Sequence, residues 1–456
     1  MRSRPEMAEK LLVQLKPSQR SPSRADLGFL CGAGDERIIL MGTANWIAPQ
    51  AISDTGIRKG LLEELAVKTL FLSGEMSLVD LADRMCLSLA AIEEIFGFLR
   101  REQLCEVKGM VVGSHRIAVS THGKSRAAEL LSLNRYVGPA PVSLADYTAR
   151  VNAQSVQLLT IQPSDLKRAF QHLVLPEATL SKLGAAVVSG TSIFMYGPSG
   201  TGKTTIGSSI PTIYNDTVLI PYAVEVDDQI IVVYDPGVHR AVEHPAADGD
   251  DKRWIRCERP RVIAGGELSP EMLELQFNAA TRFCSAPLQM KANNGVLLLD
   301  DFGRQRMRPD DLLNRWMTPL DRRLDFLSLP GGKNFEIPFD LFLVFCTNLN
   351  PNDLADEAFL RRVPNKIRMG CATPEQFIEI FRRLCERRRL PYNAGLPEQL
   401  VEYITDELKQ PLIQCFVKDL LDQIVWSARY QGVEPRLTPD ALEQACQNYF
   451  LSHNEL

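Results

Sequence analysis

Residues 197–204 read Gly-Pro-Ser-Gly-Thr-Gly-Lys-Thr, in which Gly197 and Gly202 are separated by four residues and followed directly by a lysine and a hydroxyl side chain. This is the Walker A spacing. Glycines let a backbone turn tightly enough for successive N–H groups to face phosphate oxygens, and a helix opening after them brings its positive end to the same anion. The candidate cradle is therefore Gly197, Pro198, Ser199, Gly200, Thr201, Gly202, Lys203 and Thr204. Lys203 would reach the β and γ phosphates of ATP, and the Thr204 hydroxyl would ligate the Mg2+ that bridges them. An ordinary glycine turn before a helix needs neither of those two residues, nor the apolar run Ser192–Tyr196 that leads into it.

Such a site needs an acid from a neighbouring buried strand. Val296 to Leu299 is a short wholly apolar run suited to a strand covered on both faces, and Asp300 and Asp301 stand at its carboxyl end. Asp300 would hold the metal through water. Asp301 is the candidate to polarise an attacking water, with a simple turn-capping role as the alternative.

These residues need a scaffold, and the 456 residues are enough for two to four domains of ordinary size. With 45% hydrophobic and 23% charged residues the composition is that of a globular chain, and a formal charge of -5 argues against a surface that clings everywhere to nucleic acid or anionic lipid. No stretch approaches the length of a membrane span and the polar start lacks a signal-peptide core, so a cytoplasmic protein is expected. Ten cysteines and six histidines are scattered without ligand spacing, which points to reduced thiols and no protein-bound metal apart from the one carried with nucleotide.

Residues 1–56 mix Arg, Ser and Pro around one short apolar run at 38–41 and read as an extended or partly ordered arm. From 57 to 135, helical periodicity begins at Leu61, a capping-box pattern Ser77-Leu-Val-Asp80 opens a second helix, and a third runs from Ser88 to Arg101. Two short strands, Leu104 to Lys108 and Arg116 to Ser120, are expected around a turn at Lys108-Gly109. Three helices and a two-stranded wing resemble a winged-helix domain. Glu93 and Glu94 on the third helix, with a near-neutral charge balance, disfavour DNA as its partner and favour a protein. Residues 136–160, with Gly138, Pro139 and Pro141, read as a linker. Two helical stretches past Gln162 then lead into the strand before the phosphate loop.

Downstream of the acids, Asp300-Asp-Phe-Gly-Arg-Gln305, the helix-like Leu312-Leu-Asn-Arg-Trp-Met317 and a hairpin pattern from Leu324 to Ile337 turning at Pro330-Gly331-Gly332 resemble the AAA+ ATPases, in particular the MoxR-type branch that carries a hairpin before sensor 1. The resemblance spans about residues 160–450. It implies an α/β P-loop AAA+ core with a parallel sheet over 161–372 and a helical lid over 373–456. It also implies ATP hydrolysis in a ring, a hexamer, acting on a protein client. In that family the water-polarising acid is commonly Glu, so Asp301 is one methylene shorter.

Asn348, ending the apolar run 341–347, fits sensor 1, with a strand-end turn asparagine as the alternative. Arg362 is the first candidate and Arg361 the second for an arginine finger presented to a neighbouring subunit, against an ordinary surface ion pair. Lys418 stands where such lids often carry a sensor 2 arginine, and a lysine there can contact the γ phosphate only as a point charge. The long interval between Thr204 and Val296 departs from the pattern. It contains a hairpin expected around Asp227-Asp228, and an insertion near a central pore would fit it. Thr373-Pro374 and Thr438-Pro439 should each cap a lid helix.

Overall fold

The computed structural model describes residues 47–111, 113–243, 249–354 and 356–450. The chain divides into the units Met1–Thr43 and Ala44–Leu456. The first unit lies outside the described residues, and so does the apolar run 38–41 of the expected arm. The described part of that arm, 47–56, is ordered: Ile52–Thr55 form a 3-10 turn and Ile52 is buried.

The centre is a parallel sheet of five strands, β1 (Ser192–Tyr196), β2 (Arg261–Ala264), β3 (Val296–Leu299), β4 (Phe342–Thr347) and β5 (Asn365–Arg368). Their spatial order is β2-β3-β4-β1-β5, and every pairing is parallel. The three inner strands β1, β3 and β4 read as apolar runs because both faces are covered, whereas the edge strands β2 and β5 carry exposed residues. Alternate residues separate into two cores: Ile193, Met195, Val296, Leu298 and Val344 pack with the helices Pro163–Phe170, Glu177–Ser189 and Lys203–Ser209. On the other face Phe194, Leu297, Leu299 and Phe345 pack with Trp316 of the helix Pro309–Arg322 and Phe359 of the helix Glu357–Arg362. The α/β class and the parallel sheet expected from the sequence are what the chain forms.

C-terminal to the sheet, helices Pro374–Arg388, Gly395–Glu402, Gln414–Gln431 and Pro439–Tyr449 bury their own core, including Phe377, Phe381, Val417, Leu420 and Leu421. Thr373 caps the first, in a capping box with Gln376, and Thr438 caps the last. Each start has the proline at the first turn, where a missing N–H costs nothing.

At the other end, helices Lys59–Ser73, Leu78–Met85 and Leu89–Arg101 form where periodicity placed them, and Ser77 and Asp80 make the reciprocal capping box. Strand Ser114–Val119 lies between Met76–Ser77 and Cys105–Val111, antiparallel to both. The turn is not at Lys108-Gly109. A bulge between Val107 and Gly109 absorbs those residues and the strand runs on to Val111. A further helix, Thr121–Leu133, packs on the first.

The segment read as a linker is built into the structure. Val142–Ser143 pairs with strand Ala223–Val226, and Ser143 caps the helix Leu144–Ala153. Tyr147 and Val151, four residues apart on one helical face, are buried. That short pattern was masked by the Gly and Pro residues just before it. The long interval supplies most of the same layer: the hairpin at Asp227-Asp228 forms, both turn residues taking positive φ of 47° and 64°, and its strands share a core with Tyr147. The hairpin Leu324–Ser328 with Asn334–Pro338 also forms, its Leu327, Phe335 and Ile337 joining that core.

Candidate functional site

Strands β3, β4 and β1 lie side by side in register, so the ends of all three open on one edge of the sheet. β1 delivers the glycine loop, β3 the two aspartates and β4 Asn348. Gly197 has to be glycine: a Cβ there would lie 2.1 Å from the carbonyl oxygen of Met369, which follows β5. The loop ends at Gly202, φ +81°, and this residue caps the helix Lys203–Ser209 without any side-chain hydrogen bond, leaving the cap role open to a ligand.

Thr204 and Asp300, 96 residues apart in sequence, are joined directly: the threonine Oγ1 donates to Asp300 Oδ1 at 2.9 Å. A hydroxyl and a carboxylate oxygen in contact are hard oxygen donors of the kind a Mg2+ ion takes. Lys203 is buried, and its Nζ donates to the carbonyl oxygens of Gly197 at 2.9 Å and Pro198 at 2.7 Å. Burial lowers the pKa of this ammonium, and the negative charges nearby, those of Asp300 and Asp301 among them, oppose the shift. Thr201, also buried, donates to Pro198 O at 2.9 Å and tightens the loop.

Asp301 is exposed and adopts left-handed backbone, φ +48°, with its carbonyl accepting from Arg304 N at 2.9 Å. It thus makes a turn and still leaves its carboxylate at the sheet edge. A non-glycine residue held in this region is a local cost that neighbouring structure must sustain. Asn348 Oδ1 is buried without a hydrogen-bond partner. A buried amide oxygen left unmade costs about 1–3 kcal/mol, so its position is one that a donor from outside the protein would relieve.

The two arginines differ. Arg362 is held within the chain, Nε and Nη2 each 2.7 Å from Asp321 Oδ2 and Nη1 2.8 Å from Ala358 O. Arg361 is exposed. Lys418 is exposed too, and the residues of its helix that meet the phosphate loop lie one turn earlier: Cys415 N donates to Gly200 O at 3.1 Å. Sequence reasoning missed that contact, and it missed Gln305, whose amide donates to Asp300 O at 3.3 Å while its oxygen accepts from Gly303 N at 3.3 Å. No spacing rule announces either one. Among the described residues no group of three or more His, Cys, Asp or Glu side chains could hold a metal ion, and no helix is long and apolar enough to cross a membrane.

A family profile described as a domain of unknown function (DUF8689) matches residues 373–448, the C-terminal helical bundle. Among solved structures, the chain is similar to the Thermotoga maritima RuvB Holliday junction branch migration motor, at 13% identity and a TM-score of 0.34 over 65% of this chain and 72% of that one. It is also similar to domain III of the Thermotoga maritima replication initiation protein DnaA, at 13% identity and a TM-score of 0.35 over 64% of this chain and 100% of that one. No curated protein matches the sequence.

Proposed function

We propose that the chain is an ATP-hydrolysing AAA+ remodelling or assembly factor, close to the MoxR-type branch, that works as a hexameric ring in the cytoplasm on a protein client. The observation that carries this reading is the 2.9 Å contact between Thr204 and Asp300, which brings together, from distant parts of the sequence, the hydroxyl and carboxylate that a nucleotide site would need. Residues 197–204 would wrap the triphosphate, with Lys203 exchanging its two loop carbonyls for phosphate oxygens. Thr204 and Asp300 would hold Mg2+, which supplies neutralisation of phosphate charge when bound. Asp301 would accept a proton from water at the sheet edge, and Asn348 would orient that water through its unpartnered oxygen. Arg361, exposed while Arg362 is tied to Asp321 and Ala358 O of its own subunit, would be offered to the site of the next subunit, making turnover depend on assembly. Lys418 would add a point charge from the lid.

The described N-terminal helices and strands have the order of a winged helix, and we assign them to protein docking. Glu94 of the third helix is paired with Lys59 at 2.6 Å and Glu93 is exposed, so that helix would meet a DNA phosphate with carboxylates.

The test is ATP binding by wild type and Lys203→Ala. Losing a charge-assisted hydrogen bond of about 1.5–3 kcal/mol should weaken ATP by roughly 10- to 100-fold. The melting temperature without nucleotide should not move, because the lysine bonds only to its own loop. Unchanged affinity would remove the basis of the reading.

A further inference from the structure

Gly200 is in left-handed backbone, φ +79°, and a Cβ built on it would fall 2.4 Å from Cys415 Sγ and 2.8 Å from Ile413 Cγ2. The thiol therefore rests against the bare Cα of the phosphate loop. Cys415 is the second residue of the helix Gln414–Gln431, whose N-cap, Ile413, has no polar side chain and makes no cap hydrogen bond. A first-turn N–H without such a cap needs an acceptor. Here Gly200 O takes the Cys415 N–H at 3.1 Å. The longest helix of the C-terminal bundle is thus capped by the loop that would hold phosphate.

The thiol is half-buried and has polar neighbours on its other side, where Tyr449 Oη donates to Asp419 Oδ2 at 2.9 Å. Burial first, and then the Asp419 carboxylate, raise the thiol pKa, so Cys415 meets the loop as a neutral, compact group. Even a methyl group on Gly200 would collide with both Cys415 Sγ and Ile413 Cγ2, so the loop and the helix start are packed closely here.

We propose that Cys415 is a positioning residue that couples the C-terminal bundle to the phosphate loop, its size setting how closely the bundle can sit on a nucleotide-loaded loop. This rests on the nucleotide reading above. The helix start meets the loop through the Cys415 N–H bond to Gly200 O and through the Cys415 and Ile413 side chains beside the Gly200 Cα, so a wedge at the contact displaces the bundle and pulls Gly200 with it. The residue touches no reacting atom, and its effect falls on nucleotide affinity ahead of the chemical step.

The experiment compares full-length wild type, Cys415→Ser and Cys415→Leu for binding of a fluorescent ATP analogue, for KM and kcat of phosphate release, and for thermal unfolding. Serine keeps the size and should stay within about twofold of wild type, whereas leucine overfills the contact and should raise Kd and KM by about tenfold or more with kcat changed less than about threefold. A merely damaged fold would lower kcat through a smaller active fraction and leave KM alone. A folded Cys415→Leu protein that binds ATP like wild type overturns the proposal, and so does a serine variant as impaired as leucine. Should the leucine variant not fold, Cys415→Met is read against the same two limits. Failure of wild type to bind the analogue defeats the nucleotide reading itself, a different result from any difference among the variants.

Discussion

Replacing Arg361 and Arg362 separately by alanine should divide stability from catalysis. Arg362 makes three contacts inside its own subunit, two with Asp321 and one with Ala358 O, and its side chain is only 18% exposed. Its ion-pair partner is 46% exposed, so solvent screens the pair and truncation should cost about 1 kcal/mol. For a chain of this size that lowers the melting temperature by about 2 °C. Arg361 is exposed, and its removal should change stability by less than about 0.5 kcal/mol. An arginine supplied in trans contributes about a thousandfold or more to turnover, so Arg361→Ala should lose that much kcat while binding ATP normally. Phosphate release at saturating ATP and thermal unfolding read the two effects. Mixing Arg361→Ala with Asp301→Asn subunits should restore part of the activity, because some interfaces then combine an intact acid with an intact arginine. If Arg361→Ala turns over like wild type, or the mixture recovers nothing, the assignment of Arg361 as a group acting across subunits is wrong.

Asp301→Asn should keep ATP binding and slow phosphate release by about 100-fold or more, the usual contribution of a positioned general base, and equal rates would instead favour a nucleotide-gated scaffold. Lys68 is buried with its Nζ donating to Asn134 O at 3.2 Å, and burial lowers its pKa to about 8. Between that value and the higher pKa of the unfolded lysine, the unfolded chain binds more protons, so stability should rise with pH from about 8 to about 10.5. Lys68→Met should abolish that rise and add up to about 3 kcal/mol at neutral pH, measured by denaturant unfolding across pH. Duplex DNA at low salt should show no tight binding. Strong affinity that collapses as salt rises would return DNA reading to the N-terminal helices.

The site was legible wherever chemistry fixes both residue type and spacing. Lys203 and Thr204 follow their glycines at invariant distance, and the apolar run 296–299 ends in acids, so the contact between Thr204 and Asp300 could be anticipated without knowing the path between them. The helix caps at Ser77, Thr373 and Thr438 were readable for the same reason, each being a local hydrogen bond written in four residues. What stayed hidden depends on tertiary contact. The helix Leu144–Ala153 follows a proline-rich stretch and shows its apolar face through just Leu144, Tyr147 and Val151. The pairing of Arg362 with Asp321, and of Cys415 with Gly200, joins residues that no local pattern relates.

The path from the acids to the N-terminal helices is made of links of unequal strength. Beyond Asp301 the chain is pinned by buried Phe302 and Met307 and by bonds from Arg306 N and Met307 N to the backbone at Gly266 and Leu268. It then enters the helix Pro309–Arg322, where Arg315 grips the hairpin root: Nη1 and Nη2 lie 2.5 and 3.2 Å from the fully buried Asp325 carboxylate, which also accepts from Gln289. Removing one partner of such a buried pair costs about 3–5 kcal/mol. At the hairpin tip, Lys333 meets Asp227 at 2.6 Å, and the next residue, Asp228, meets Arg58 at the start of the first helix at 2.8 Å. All four of these side chains are well exposed, and such pairs contribute about 0–1 kcal/mol each. The root of the hairpin is therefore held several-fold more strongly than its tip.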